Sequence, residues 1–190
     1  MATNLREGVL KFFKKEKIGY IPLFSGMGNI TIHGLEKYGW KFPEIHTDGR
    51  KMASMAASSF QLFGFPCAVV PFDMGVEAEV LGSKVNYYAH AADILYPTII
   101  EHPAEKIEDL SIQVPSDLAK AGRIPVVTEA LRLLKQEVGS QVAIGAWVLG
   151  PYTLAGQLVD LSQLAKAAFK KTDMVRNVLE KLAGVLIHII

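Results

Sequence analysis

The 190-residue sequence has a single cysteine, Cys67, so no disulfide can form within the chain, and a reducing compartment suits it. Its five histidines, His33, His46, His90, His102 and His188, show no ligand spacing with one another or with Cys67. No His-x-Cys, Cys-x-x-Cys or His-Glu-x-x-His pattern occurs, so no metal site is predicted within the chain itself. Basic and acidic residues nearly balance, 20 against 19, and no basic run exceeds Lys14-Lys15 or Lys170-Lys171. The footprint of a nucleic-acid or anionic-membrane binder is therefore missing. No apolar run reaches the roughly 18 residues of a membrane span. The opening residues lack the apolar core of a signal peptide, and there is neither a fixed-period repeat nor a low-complexity linker. A cytoplasmic protein is expected.

What the sequence does have is apolar bulk. Half of its residues are hydrophobic and only 21% are charged. That composition suits strands covered on both faces, or a protein that has lost the partner covering them. Leu5, Val9, Phe12 and Phe13 recur at helical spacing and predict a leading helix over 4–15. Tyr20–Phe24 reads as a buried strand ending at Ser25-Gly26. A helix is expected over Asn29–Tyr38, stopped by Gly39. Thr47 or Asp48 can cap the next helix, whose Met52, Met55, Ala56, Ser59, Phe60 and Phe63 share one face up to Gly64. Cys67–Phe72 is continuously apolar and reads as a second buried strand, with Cys67 a core residue.

Glu77–Leu81 predicts a helical turn closed by Gly82, and Val85–Tyr88 a short strand. Prolines at 97, 103, 115 and 125 break 89–125 into an irregular insert, with a turn or two of helix over Pro103–Leu110. Thr128–Val138 is amphipathic and helical. Val142–Leu149 reads as a third buried strand, followed by a loop over Gly150–Gln157. Asp173 can cap a last helix running to the end of the chain. One domain, 1–190, with about three strand–helix units argues for an α/β fold with a parallel sheet.

Function in such folds gathers at the carboxyl ends of strands, which selects three segments. In Ser25–Asn29, Gly26 and Gly28 form part of a dinucleotide-type glycine pattern. Thr31 occupies the third glycine position, so a tight turn and helix start is the simpler reading. Asp73 directly follows the second strand, with Met74 beside it and Glu77 and Glu79 close behind. A carboxylate there either caps the following turn or faces a barrel mouth, where burial tunes its pKa or lets it accept a substrate hydrogen bond. The third segment, Gly150–Gln157, includes Tyr152 and Gln157. Its small residues permit either a close ligand approach or close strand–helix packing.

Four stretches in this order carry a resemblance: Phe42–Asp48 with Lys51-Met52-Ala53, Val69–Gly82, Ala121–Ala130, and Gly150–Gly156. Together they resemble the uroporphyrinogen decarboxylase superfamily, and most closely its methylcobamide methyltransferase branch. The resemblance implies the N-terminal portion of a (β/α)8 TIM barrel of the uroporphyrinogen decarboxylase type. That fold usually takes about 250 residues or more, so the chain is expected to stop before the barrel could close. In the decarboxylases, an aspartate at the position of Asp73 holds pyrrole N–H groups. A pair of arginines after the first strand binds substrate carboxylates, and a tyrosine stands near the position of Gln157. The segment Pro22–Thr31 has no arginine, and a substrate bearing many carboxylates needs such cations.

The methyltransferases instead use a zinc-bound thiolate to attack a methyl group on a corrinoid carried by a partner protein. Their zinc ligands, a His-x-Cys pair and a later Cys, are not in this chain, so no cofactor is expected to bind to it alone. The resemblance implies a corrinoid-dependent methyltransferase. Asp73 would be catalytic, and Gly26, Gly28, Asn29, Met74, Glu77, Tyr152 and Gln157 would contact a small-molecule substrate. Uroporphyrinogen decarboxylation is the first alternative. The second is a catalytically incomplete module that self-associates, or binds a partner, through an open barrel edge.

Overall fold

The computed structural model describes residues 4–91 and 93–190. In chain order the elements are α1 (Leu5–Phe13), α2 (Ile32–Tyr38), α3 (Gly49–Phe63), β1 (Cys67–Val70), α4 (Val76–Val80), β2 (Lys84–Asn86) and β3 (Thr98–Glu101). They continue with α5 (Ile124–Glu137), β4 (Ala143–Ala146), α6 (Pro151–Leu158), α7 (Leu161–Lys170) and α8 (Thr172–Ile189). Short 3₁₀ turns lie at Phe42–His46, Ile107–Asp109 and Leu118–Lys120. The chain divides into two compact units: residues up to Phe72 with Val126–Trp147, and Asp73–Pro125 with Val148–Ile190.

In the first unit α1, α2 and α3 each start where a polar side chain meets orphan N–H groups. Asn4 Oδ1 accepts from Glu7 N at 3.3 Å to open α1. Thr31 Oγ1 accepts from Gly34 N at 3.0 Å to open α2. Asp48 Oδ1 accepts from Arg50 N and Lys51 N at 2.9 and 3.0 Å to open α3. Gly64, in the left-handed conformation, ends α3. A helix of this length is marginal by itself, so packing holds it. Met52, Met55, Ala56 and Ala57 are fully buried against Ile45, Val70, Leu134 and Val142, and each large side chain so buried contributes about 1.5–3 kcal/mol.

The strands β1 and β4 pair in parallel with Cys67 opposite Ala143 and Val70 opposite Ala146. All of β1 is buried, which explains its unbroken apolar run. Tyr20–Phe24, by contrast, is not a strand. Ile21 and Leu23 are 85% and 63% exposed. The segment runs without ladder partners, and an apolar run becomes a strand only when a neighbour takes up its backbone hydrogen bonds. Pro22 is buried and Phe24 is partly drawn in, its ring 5.0 Å from that of Phe13.

In the second unit α8 packs against α6 and α7, burying Leu154, Leu158, Leu164, Leu182 and Leu186. Five expectations are corrected here. The 89–125 insert holds a strand, β3, paired antiparallel with β2. Pro103–Leu110 forms only the 3₁₀ turn at Ile107–Asp109. Gly150–Gln157 is mostly helix, because Pro151 sits in the first turn of α6, where its missing N–H leaves nothing unpaired. Asp173 lies inside the first turn of α8 rather than at its cap. The helix expected from Thr128 begins at Ile124, with Pro125 in its first turn.

Candidate functional site

The segment after β1 turns at Pro71–Gly75 into α4. Asp73 is 3% exposed, and its Oδ1 accepts from Gly75 N at 2.9 Å, closing the turn that leads into α4. Both of its oxygens also receive Arg123. Nη1 donates to Oδ2 at 2.7 Å and Nη2 to Oδ1 at 2.8 Å, a bidentate pair. Arg123 Nε donates to Glu79 Oε2 at 2.8 Å. Tyr87 O–H donates to Glu79 Oε1 at 2.6 Å, and its ring lies 4.9 Å under the guanidinium. The planar cation thus has carboxylates along its edges and an aromatic ring on one face.

Gly122, at φ +48°, makes the turn that delivers Arg123, and a Cβ there would come within 3.2 Å of Val80. Burial alone pulls the Arg123 pKa down, but the hydrogen bond and charge of Asp73 outweigh it and hold the pKa above its ordinary value. Tyr87 is pushed up, first by burial and then by its bond to Glu79. These two groups therefore remain protonated across the neutral range.

Glu77 is the contrasting acid. It is 2% exposed. Its Oε1 accepts from Leu149 N at 3.1 Å, and its buried Oε2 has no hydrogen-bond partner. Burial raises its pKa and the negative charge of Asp73 adds to this, while hydrogen bonds from its own amide and from Leu149, and the charge of Arg123, oppose the rise. The protonated form is favoured relative to a solvated carboxyl, so Glu77 can hold a proton and offer it as an O–H donor.

The other candidates fall as follows. Gln157 lies on α6. Its carbonyl oxygen accepts from Ser83 Oγ and from His102 Nδ1, both at 2.9 Å, and its buried side-chain Oε1 has no partner. Tyr152 on α6 and Met74 before α4 are 45% and 46% exposed. In the first unit, a Cβ on Gly28 would lie 2.2 Å from the Phe72 ring and 2.7 Å from Val69 O, so only glycine fits that turn. Gly26 has open space around it. The Asn29 carbonyl accepts from Ser59 Oγ at 2.9 Å, and its buried Nδ2 has no partner. Asn29, Glu77 and Gln157 therefore each bury a polar atom at a cost of about 1–3 kcal/mol unless a ligand or water meets it.

The sequence reading assigned no role to Arg123, Glu79 or Tyr87. The available signal was Arg123 itself, a charged residue between apolar ones at the start of α5.

Among the described residues no group of three or more His, Cys, Asp and Glu is arranged to hold a metal ion. Cys67 is buried in mid-strand, and burial pushes its thiol up, against a bond from the Ser25 backbone. The residues present do not fit the zinc–thiolate centre that the resemblance implies. Nor is any described helix long and apolar enough to cross a membrane.

Parallel strands that each lead into a helix, with acids clustered just past a strand end, define part of a (β/α) barrel. A solved structure of a methyltransferase from Methanosarcina mazei matches 98% of this chain with a TM-score of 0.87 and 29% sequence identity, covering 54% of that chain. A sequence model of the uroporphyrinogen decarboxylase (URO-D) family matches residues 4–190, and the chain belongs to that family. Its fold is a partial (β/α)8 barrel of the family's type. A methylcobamide:CoM methyltransferase, MtaA of Methanosarcina barkeri, is 28% identical over 93% of this chain and 51% of its own length. MtbA of Methanosarcina acetivorans, also a methylcobamide:CoM methyltransferase, is 28% identical over 79% of this chain and 43% of its length. Chloroplastic uroporphyrinogen decarboxylase 2 of rice is 33% identical, but over only 30% of this chain. The chain spans about half the length of the methyltransferases it matches.

Proposed function

We propose that the protein carrying this chain is a corrinoid-dependent methyltransferase, moving a methyl group between a methylcobamide protein and a small thiol or similar acceptor. In this reading the chain supplies part of the substrate wall, with Glu77 and Gln157 as its polar groups, and the protein works in the reducing cytoplasm that Cys67 suits. The observation that carries the reading is the engagement of Asp73. Its two oxygens take a bidentate Arg123, which leaves that carboxylate poorly placed to receive a ring of pyrrole N–H donors. Asp73 then acts as a positioning residue that fixes Arg123 and the start of α4. The arginine-free segment Pro22–Thr31 and the extent of similarity to methylcobamide:CoM methyltransferases support the same reading. No step through zinc is assigned to this chain, whose residues do not fit that metal.

Tetrapyrrole decarboxylation is the second reading, favoured by the place of Asp73 just beyond β1. One experiment separates the two. The protein in which this chain occurs is incubated with methylcobalamin and a thiol, and in parallel with uroporphyrinogen. Thiol-dependent loss of the methyl–cobalt absorbance supports methyl transfer. Stepwise decarboxylation of the tetrapyrrole, without methyl transfer, would overturn it. Exposed Ile21 and Leu23 further support self-association of the 190-residue chain. A single monomeric species by light scattering at high concentration removes that proposal.

A further inference from the structure

Gly184 lies well inside α8, where glycine weakens a helix relative to alanine. Close packing usually accounts for such a residue, but a Cβ at Gly184 would meet nothing within 4 Å. The space beside it is a groove of about 620 Å³ between α8 and the segment from Ile112 to Leu118. Small organic ligands typically occupy roughly 300–1,000 Å³. Ile112, Val114 and Pro115 form an apolar wall opposite Lys181, Gly184 and His188, and those three positions share one face of the helix.

The charges in the groove are unevenly matched. Asp117, at its rim, is paired with Lys120 at 2.8 Å. Lys181 has no hydrogen-bond or ion-pair partner among the described residues. His188 Nδ1 donates to Gly184 O at 2.8 Å, so Nε2 is the ring's remaining polar atom. The carbonyls of the last helical turn repel an anion near His188, but that effect fades within a turn, and Lys181 lies further back along α8.

We propose that this groove binds a small anionic amphiphile. Its chain or ring occupies the space Gly184 leaves open, over Ile112, Val114 and Pro115. Its carboxylate or sulfonate head sits on Lys181. The site lies apart from the Asp73–Glu77 region in sequence and does not depend on the methyl-transfer reading.

Isothermal titration of the 190-residue chain with decanoate, and with decanol as the neutral counterpart, tests the proposal. Saturable decanoate binding is expected, with decanol at least about tenfold weaker because the charge-assisted contact is lost. Lys181→Gln, an exposed substitution, should weaken decanoate by a similar factor and leave decanol unchanged. Gly184→Leu should abolish binding of both by filling the groove, whereas Gly184→Ala should raise Tm and retain binding. Circular dichroism confirms that each variant is folded, and Lys181→Gln decides the matter if Gly184→Leu is not. Equal binding of decanol and decanoate, no effect of Lys181→Gln, or concentration-dependent dimerisation through the groove without decanoate binding would overturn the proposal.

Discussion

The two units bury different things. In the first, the core is apolar, and its buried polar side chains are His46, Ser58 and Ser59. In the second, Asp73, Glu77 and Arg123 are buried together with Ser83. Apolar burial is non-directional and adds stability in proportion to area. A buried ion network returns little net stability, because desolvation consumes most of the Coulombic gain, but it fixes geometry tightly. The first unit is thus built to hold, and the second to position. Asp73 lies at the head of the second unit, just before α4 begins.

The largest effect that can break this contrast is loss of the cation at the network's centre. Arg123→Met leaves the buried Asp73 and the half-buried Glu79 without their counter-charge and should cost about 3–5 kcal/mol in urea unfolding. Adding Asp73→Leu should recover part of that loss, and a double-mutant cycle measures the coupling. A loss no greater than that of removing the exposed Lys84–Glu101 pair, at 2.7 Å, would mean the network is effectively solvated. Next comes Met52→Ala, which opens a cavity in the first unit and should cost about 2–5 kcal/mol with no dependence on pH or salt. Asp48→Ala removes the cap of α3 and should cost about 1 kcal/mol, read as a lower urea midpoint with unchanged slope.

The smallest effect at acid pH, and the one that grows, is Glu77→Gln. Glu77 has its pKa raised in the folded chain, so between its ordinary value and the folded one the native state binds the extra proton. Stability from this group is complete below the ordinary carboxylate range and falls as pH rises through the folded pKa. The glutamine variant is isosteric and neutral, so it should match the parent chain in acid and exceed it increasingly toward neutrality. Parallel pH–stability curves for the two proteins would show that the pKa of Glu77 is not raised by folding.

Much of the fold was legible from local chemistry. Asn4, Asp48, Gly39 and Gly64 mark helix ends by bonds and backbone angles that involve only their neighbours, so spacing alone located α1, α2 and α3. The strand β1 was legible because a run buried on both faces is apolar at every position. Tyr20–Phe24 misled because it has the same composition, and composition does not report whether a neighbouring strand exists. The strand β3 was hidden because its residues are mostly exposed and its pairing with β2 is a long-range fact.

At the candidate site, the place of Asp73 and Glu77 followed from the strand-end rule, but their different states did not. Arg123 lies fifty residues from Asp73 in sequence and reaches it only through the turn at Gly122. Arg123 engages both oxygens of Asp73, whereas Glu77 keeps an unpartnered oxygen.

The sequence by itself determined the family, the leading helices, the apolar strand β1 and the neighbourhood of the strand-end acids. These depend on residue type and short-range spacing, which the chain carries without folding. Only the tertiary structure decided which carboxylate is paired with Arg123, which glycine opens a groove and which apolar run becomes a strand. Desolvation, ion pairing and ladder formation each need a second group brought close from a distant part of the chain.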